Sequence, residues 1–211
     1  MKSTKIESLF RKLNDSIPKA ETELYYRNTF ELLIAVILSA QATDVSVNKV
    51  TPGLFASFPA PQEMFEAGAE TVLSHIKSIG LAPTKAKNIV KTCALLVENH
   101  AAQVPQNREQ LEALAGVGRK TANVILNTAF GQPVIAVDTH IFRISNRSGL
   151  APGKTVLQVE ENLMKVVPEK WKRDAHHLLI LHGRYVCKAR KPDCEHCVIV
   201  KECEHPDKTA P

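Results

Sequence analysis

The sequence predicts an all-α protein. Apolar residues recur along the chain at the three-to-four-residue spacing of amphipathic helices, and runs that alternate apolar with polar residues are nearly absent. Glycines and prolines fall at the edges of the periodic segments, where they start or stop helices.

At the N-terminus, Ile6, Leu9, Phe10 and Leu13 keep helical spacing among Lys5, Glu7, Arg11 and Lys12. That is the pattern of a docked amphipathic helix and lacks the apolar centre of a secretory signal. Asn28 and Glu31 form a capping box for a helix over 30–40. This helix is apolar on almost every face and so belongs in the middle of a bundle. Further helices are expected over 44–58, shortened by Pro52, over 69–79, stopped by Gly80, over 83–99, with a proline at its start, and over 108–115. The remaining helices are expected over 119–130, ended by Gly131, then 139–147, 154–166 and 168–185. Only 133–137 reads as extended. No low-complexity linker separates these segments, so a second domain is expected to pack closely against the first.

A chain of 211 residues buries a core without covalent staples. Lys and Arg total 27 against 22 Asp and Glu, a net charge of +5, which suits an anionic partner and many ordinary soluble proteins alike. The most apolar stretch, 30–40, is interrupted by Glu31 and is far shorter than the ~20 residues of a membrane span, so no membrane partner is expected. Four of the 5 cysteines, Cys187, Cys194, Cys197 and Cys203, crowd one C-terminal segment, the arrangement of a metal or cluster loop rather than scattered disulfides. Reduced cysteines place the protein in the cytoplasm, on the nucleoid if its source is bacterial. The spacing leaves zinc and an iron-sulfur cluster both open, with His196 and His205 nearby. Lys188, Arg190 and Lys191, between the first two cysteines, form a basic run that either contacts phosphate or is simply solvated surface. Cys93, alone inside a helix, reads as a small buried residue.

Gly116-Val117-Gly118-Arg119-Lys120-Thr121 joins two of the expected helices through a turn that glycine tolerates easily, since both glycines permit positive φ. The second helix then opens with free backbone N–H groups at its positive end, which attract phosphate oxygen without reading base sequence. A plain helical hairpin with glycine caps is the alternative for Gly-x-Gly alone. With Arg119, Lys120, Thr121 and Ala122 added, the segment resembles the helix-hairpin-helix DNA-binding motif, although Ala115 stands where that motif usually has proline.

Taken with Val137-Asp138-Thr139-His140 and the four-cysteine loop, the chain resembles the endonuclease III family over nearly its whole length. The resemblance implies a two-lobed helix-hairpin-helix glycosylase fold with DNA held across the groove between the lobes. One lobe is a six-helix domain over 21–132, and the other is an iron-sulfur cluster domain formed by 1–20 and 133–211. It implies a [4Fe-4S] cluster on Cys187, Cys194, Cys197 and Cys203, and a monomeric partner of double-stranded DNA containing oxidised pyrimidines or abasic sites. The implied activity is that of a bifunctional DNA glycosylase and AP lyase. An adenine-mispair glycosylase uses the same scaffold without the lysine, and a non-catalytic hairpin module would need neither catalytic residue.

The resemblance makes Lys120 the nucleophile that forms a Schiff base with the sugar and permits β-elimination of the 3′ phosphate. An ordinary lysine amine, pKa ~10.4, is almost wholly protonated at neutral pH, so such a nucleophile needs help from partial burial, a helix N-terminus and a neighbouring charge such as Arg119. Asp138 either stabilises positive charge developing on the sugar or accepts a proton from the lysine, and it also has the position of a helix N-cap. Asp44 reads as a helix-start carboxylate or as a group facing the pocket. A flipped base leaves a gap in the duplex. Gln41 and Leu81 stand in two loops where the family inserts side chains into DNA, and His140 is a candidate pocket residue.

Overall fold

The computed structural model describes residues 1–206 and 208. Among them the chain forms ten α-helices and no strand: α1 (Ser3–Ser16), α2 (Thr29–Ser39), α3 (Asp44–Ser57), α4 (Pro61–Ile76), α5 (Ala82–His100), α6 (Arg108–Glu112), α7 (Arg119–Phe130), α8 (Thr139–Ser148), α9 (Val156–Val166) and α10 (Glu169–Tyr185). They divide into two compact units, one of Met1–Thr22 together with Gly131 onwards, the other of Glu23–Phe130.

The 23–130 unit, α2 to α7, is built around α2. Every residue from Phe30 to Leu38 is buried, and the helix packs against α3, α5 and α7. The Asn28 side chain accepts the Glu31 N–H, as the capping box requires, but the Glu31 carboxylate accepts from the N–H of Arg27 (2.7 Å) instead of that of Asn28. The Arg27 guanidinium also binds this carboxylate, at 2.6 Å, which is how a glutamate survives 1% exposed in an apolar helix.

Three helices, α3, α4 and α6, differ from expectation. Helix α3 runs through Pro52 because the missing N–H costs one ladder bond, whereas Val47, Thr51, Leu54 and Phe55 keep a continuous buried face. Helix α4 begins at Pro61, about two turns earlier than the periodicity indicates, and is broken at Gly68 (φ 74°), where a left-handed residue re-aims the chain. It ends at Ile76, and α6 ends at Glu112. In both places the chain tightens into turns, Ile79 N–H to Ile76 O and Leu114 N–H to Leu111 O.

The other unit combines α1 with α8, α9 and α10. Leu9, Phe10 and Leu13 of α1 are wholly buried with Ile141 and Ile144 of α8, Leu163 of α9, and Leu178 and Leu179 of α10. Each such side chain contributes about 1.5–3 kcal/mol, enough to bind the N-terminal helix to a segment more than a hundred residues away. The 133–137 stretch is neither helix nor strand. Ile135 and Val137 enter the same core, and Nδ1 of His176 donates to the Ala136 carbonyl at 2.9 Å. Within the cysteine segment, Glu202 accepts from Ser8 (2.9 Å) and Lys12 (3.0 Å), tying that segment to α1.

Candidate functional site

In the 23–130 unit the turn between α6 and α7 carries the phosphate-binding candidates. Gly116 has φ +78° and lies against α5 so closely that a Cβ would stand 3.1 Å from the Cβ of Asn88. Gly118, by contrast, does not take positive φ, and a Cβ there would meet nothing within 4 Å. Only the first glycine is therefore demanded by the turn; the second leaves an open, exposed backbone directly before α7. The Ala115 carbonyl accepts the Thr92 hydroxyl at 2.8 Å, so the turn is pinned from α5 at the position where the motif usually has proline. Val117 is buried and anchors the loop, whereas Arg119 and Lys120 are exposed and Thr121 is half-buried. The partial burial expected to assist Lys120 is thus absent in its own unit, because its place in the first turn of α7 faces outward.

Two other loops of this unit meet each other. Gln41, after α2, and Leu81, before α5, both adopt left-handed backbone (φ 55° and 62°) although neither is glycine, and both are exposed. A Cβ on Gly80 would stand 3.8 Å from the Gln41 carbonyl, so the loops touch. Lys85, 4% exposed, reaches beneath them and donates to the Leu38 carbonyl at 2.8 Å. Burial pulls its pKa down. Asp44 sits in the first turn of α3, where Thr43 serves as N-cap.

In the second unit Asp138 caps α8. Its Oδ1 accepts the Ile141 N–H at 2.8 Å, while Oδ2 accepts nothing among the described residues. His140, in the first turn of α8, has its Nδ1 3.1 Å from Nη2 of Arg143. A guanidinium only donates, so Nδ1 accepts and the neutral ring carries its proton on Nε2. The same guanidinium donates to the carbonyls of Gly183 (2.6 Å) and Cys187 (3.0 Å). Gly183 permits this: a Cβ there would stand 3.1 Å from that of His140.

Cys187, Cys194, Cys197 and Cys203 line one cavity of about 230 Å³, with Ile144 and Ile199 among its apolar walls. No disulfide forms among them. Burial pushes the Cys197 thiol up to about 11, with repulsion from the other three cysteines adding to it, and burial also raises Cys203. Ionising such a set calls for a multiply charged cation in its midst. His182 lies in the wall, its Nε2 3.5 Å from the Cys197 sulfur, with burial lowering its pKa to about 4. His196 instead turns to Asp193 at 2.9 Å. No three His, Cys, Asp or Glu side chains among the described residues are gathered to hold a metal ion as they stand. Arg147 donates to the Lys188 carbonyl at 2.8 Å and fixes the start of the basic loop, from which Lys188, Arg190 and Lys191 project into solvent. Cys93 is fully buried in α5, and its thiol is pushed up to about 12 by that burial.

Lys85, Thr92, Arg143 and Arg147 were not singled out from sequence. A signal existed for the first two, which are polar residues on the apolar stripe of α5. Arg143 and Arg147 are one helical turn apart on α8, ahead of a cysteine loop whose carbonyls need donors.

A profile of the HhH-GPD superfamily of base excision DNA repair proteins matches residues 34–169. Endonuclease III of Haemophilus influenzae is 58% identical over 99% of this chain and 99% of its own length, and that of Escherichia coli is 58% identical over 98% of each. Two solved structures superpose with a TM-score of 0.91 over 97% of this chain and 96% of theirs: a trapped endonuclease III–DNA covalent intermediate at 44% identity and a non-covalent endonuclease III–DNA complex at 45%. A thermostable thymine-DNA glycosylase, at 23% identity and a TM-score of 0.86 over 96% of each chain, shares the fold. With a family profile across most of its helices and full-length relatives at this identity, the chain belongs to the HhH-GPD superfamily and, within it, to the endonuclease III family of base-excision-repair DNA glycosylases and AP lyases.

Proposed function

We propose that this enzyme removes oxidised pyrimidines from duplex DNA and cleaves the resulting abasic strand through a lysine Schiff base. The observation that carries the reading is Lys120, exposed in the first turn of α7 directly after the open backbone of Gly118. The α7 N-terminus and the Gly116-Val117-Gly118 backbone grip a phosphate, with Arg119 and Thr121 beside it, which brings the amine to the sugar. The neutral amine attacks C1′, the C1′–base bond breaks, and the base leaves with a proton. Ring opening gives the protonated Schiff base. Loss of a C2′ proton then expels the 3′ phosphate as the C3′–O bond breaks, and hydrolysis frees Lys120. Asp138 keeps Oδ1 in its cap and offers Oδ2 to charge developing on the sugar or to the proton leaving Lys120. His140 presents its Nε2–H to DNA, Gln41 and Leu81 fill the gap left by the flipped nucleotide, and Lys188, Arg190 and Lys191 contact phosphate.

The Glu23–Phe130 unit corresponds, in this proposal, to the six-helix domain and the remainder to the iron-sulfur domain. Four cysteines lining one cavity could serve zinc or a cluster alike, and membership of the endonuclease III family is what favours the cluster. Cys187, Cys194, Cys197 and Cys203 would hold a [4Fe-4S] cluster with all four thiolates, which would cross-link four points of the chain and leave no ligand position for substrate. Cys187 to Cys203 thereby hold the basic loop in shape. No helix among the described residues is long and apolar enough to cross a membrane, and the enzyme is proposed to act as a cytoplasmic monomer on DNA.

Borohydride trapping on abasic DNA tests the central step. A covalent adduct is expected and should vanish in Lys120→Ala; trapping that persists unchanged in that variant refutes the nucleophile assignment. A brown protein absorbing near the blue edge of the visible supports the cluster, and a colourless zinc-loaded one refutes it.

A further inference from the structure

Lys85 is the one lysine of α5 that is buried, and it has no role in the chemistry above. Among the described residues no carboxylate pairs with it, and its single side-chain bond goes to the Leu38 carbonyl at 2.8 Å. Burying an ammonium group without a counter-ion costs several kcal/mol, and a methionine of similar length would fill the space without that cost. What the charge gains is a fixed position for the ends of two helices. The Leu38 carbonyl is among the last four of α2, at its negative end and three residues before Gln41. The backbone N–H of Lys85 donates to the Leu81 carbonyl at 3.0 Å. That backbone bond is the first of α5 and needs no particular side chain, so it is the ammonium that ties the start of α5, directly after Leu81, to the end of α2, three residues before Gln41.

Both loops need holding. Left-handed backbone at a non-glycine residue costs about 1–2 kcal/mol each, so Gln41 and Leu81 keep φ of 55° and 62° only while their surroundings impose it. Gly80 lies close enough to the Gln41 carbonyl that a Cβ on it would stand 3.8 Å away, which sets the two loops side by side on the Lys85 support.

We propose that Lys85 is a positioning residue for base flipping, locking the Gln41 and Leu81 loops together so that the two side chains enter the duplex as a single wedge. The proposal rests on the wedge reading of those two residues, and it assigns Lys85 no contact with DNA. Filling the vacated stack is the step that depends on it; Schiff-base chemistry at an already unstacked sugar does not.

The test compares full-length, cluster-loaded Lys85→Met with wild type, with Gln41→Ala/Leu81→Ala as reference. Borohydride trapping on single-stranded abasic DNA, which has no stack to open, should be unchanged in Lys85→Met. Excision from a duplex bearing one thymine glycol should fall about ten- to hundredfold in kcat with little change in KM, as for a reacting group displaced by about 1 Å. Fluorescence of 2-aminopurine beside the lesion should rise less on binding. Backbone chemical shifts should show Gln41 and Leu81 leaving left-handed φ, a readout of positioning independent of turnover. If Lys85→Met excises at the wild-type rate while the double variant is slow, the positioning role is wrong and the wedge stands. A double variant that excises normally removes the wedge, and the proposal with it. Loss of single-stranded trapping along with excision in Lys85→Met makes Lys85 merely structural and likewise overturns the proposal.

Discussion

The two glycines of the hairpin allow folding to be separated from DNA binding by adding one methyl group at each. In Gly116→Ala the new Cβ inherits φ +78°, a penalty of about 1–2 kcal/mol for an L residue. It also stands 3.1 Å from the Asn88 Cβ, a contact that cannot be relieved by rotating a side-chain tip and adds roughly 1–3 kcal/mol of overpacking. Restricting the unfolded chain returns about 0.4–1 kcal/mol. The net loss is roughly 2–4 kcal/mol, and at about 2–4 °C per kcal/mol for a chain of this size Tm should fall by roughly 5–15 °C. Gly118→Ala has neither cost, since its φ is ordinary and nothing lies within 4 Å of the new atom; its stability should stay within about 0.5 kcal/mol of wild type. The same methyl nevertheless sits where a phosphate must approach the backbone. Losing one charge-assisted hydrogen bond costs about 1.5–3 kcal/mol, or roughly ten- to hundredfold in Kd. Thermal denaturation and anisotropy titration of an undamaged duplex measure the two effects separately. A Gly118→Ala protein that is stable and binds DNA with wild-type affinity would refute the backbone phosphate clamp.

Asp138→Asn keeps an N-cap acceptor, so Tm and duplex affinity should stay near wild type while excision collapses, whereas Asp138→Ala should lose about 1 kcal/mol as well; equal losses of binding and excision in the Asn variant would leave Asp138 as a cap alone. Removing the guanidinium in Arg143→Met should release the His140 ring from its single Nε2–H tautomer, seen as a mixture in nitrogen-15 NMR; an unchanged spectrum would break the link between Arg143 and His140. Burial lowers the pKa of His177, only partly opposed by Asp174 and Glu21, so the unfolded chain takes up its proton first on acidification. The stability this gives is complete above the ordinary value of ~6.5 and is lost as pH falls from there through the lowered folded pKa; urea midpoints in His177→Gln should fall less over that range, and parallel curves would refute it. Affinity for undamaged duplex should drop steeply and linearly with log salt concentration, since backbone contacts dominate, and a flat response would contradict them.

The helices were legible because burial leaves a periodic trace: Ile6, Leu9, Phe10 and Leu13 announce α1, and the unbroken apolar run announces α2 as a central helix. Legibility failed where local rules met a tertiary override. Pro52 reads as a stop, yet the buried face on either side of it carries α3 through. Gly68 carries no period of its own, so the break inside α4 was invisible, and the helix before it was missed.

The candidate site divides along the same physical line. Residues whose types and spacing carry a motif, such as the four cysteines, or the lysine after a glycine turn once the family is recognised, can be proposed from the chain. The groups that orient them cannot, because their partners are backbone carbonyls supplied by a different element. Lys85 binds one at the end of α2, and Thr92 binds one in the hairpin turn; Arg143 and Arg147 bind carbonyls around the cysteine loop. A carbonyl has no sequence signature, so the only trace of such an acceptor is a polar residue where the helical pattern calls for an apolar one. On α5 that trace is plain: Lys85 and Thr92 share the buried stripe of Ala82, Ala86, Ile89, Cys93 and Leu96. Each spends desolvation energy that alanine or leucine would save, and each lands on backbone that leads into or forms a loop proposed to touch DNA. Polar interruptions of an apolar helix face are therefore the places where a sequence of this fold reveals which backbone it must hold still.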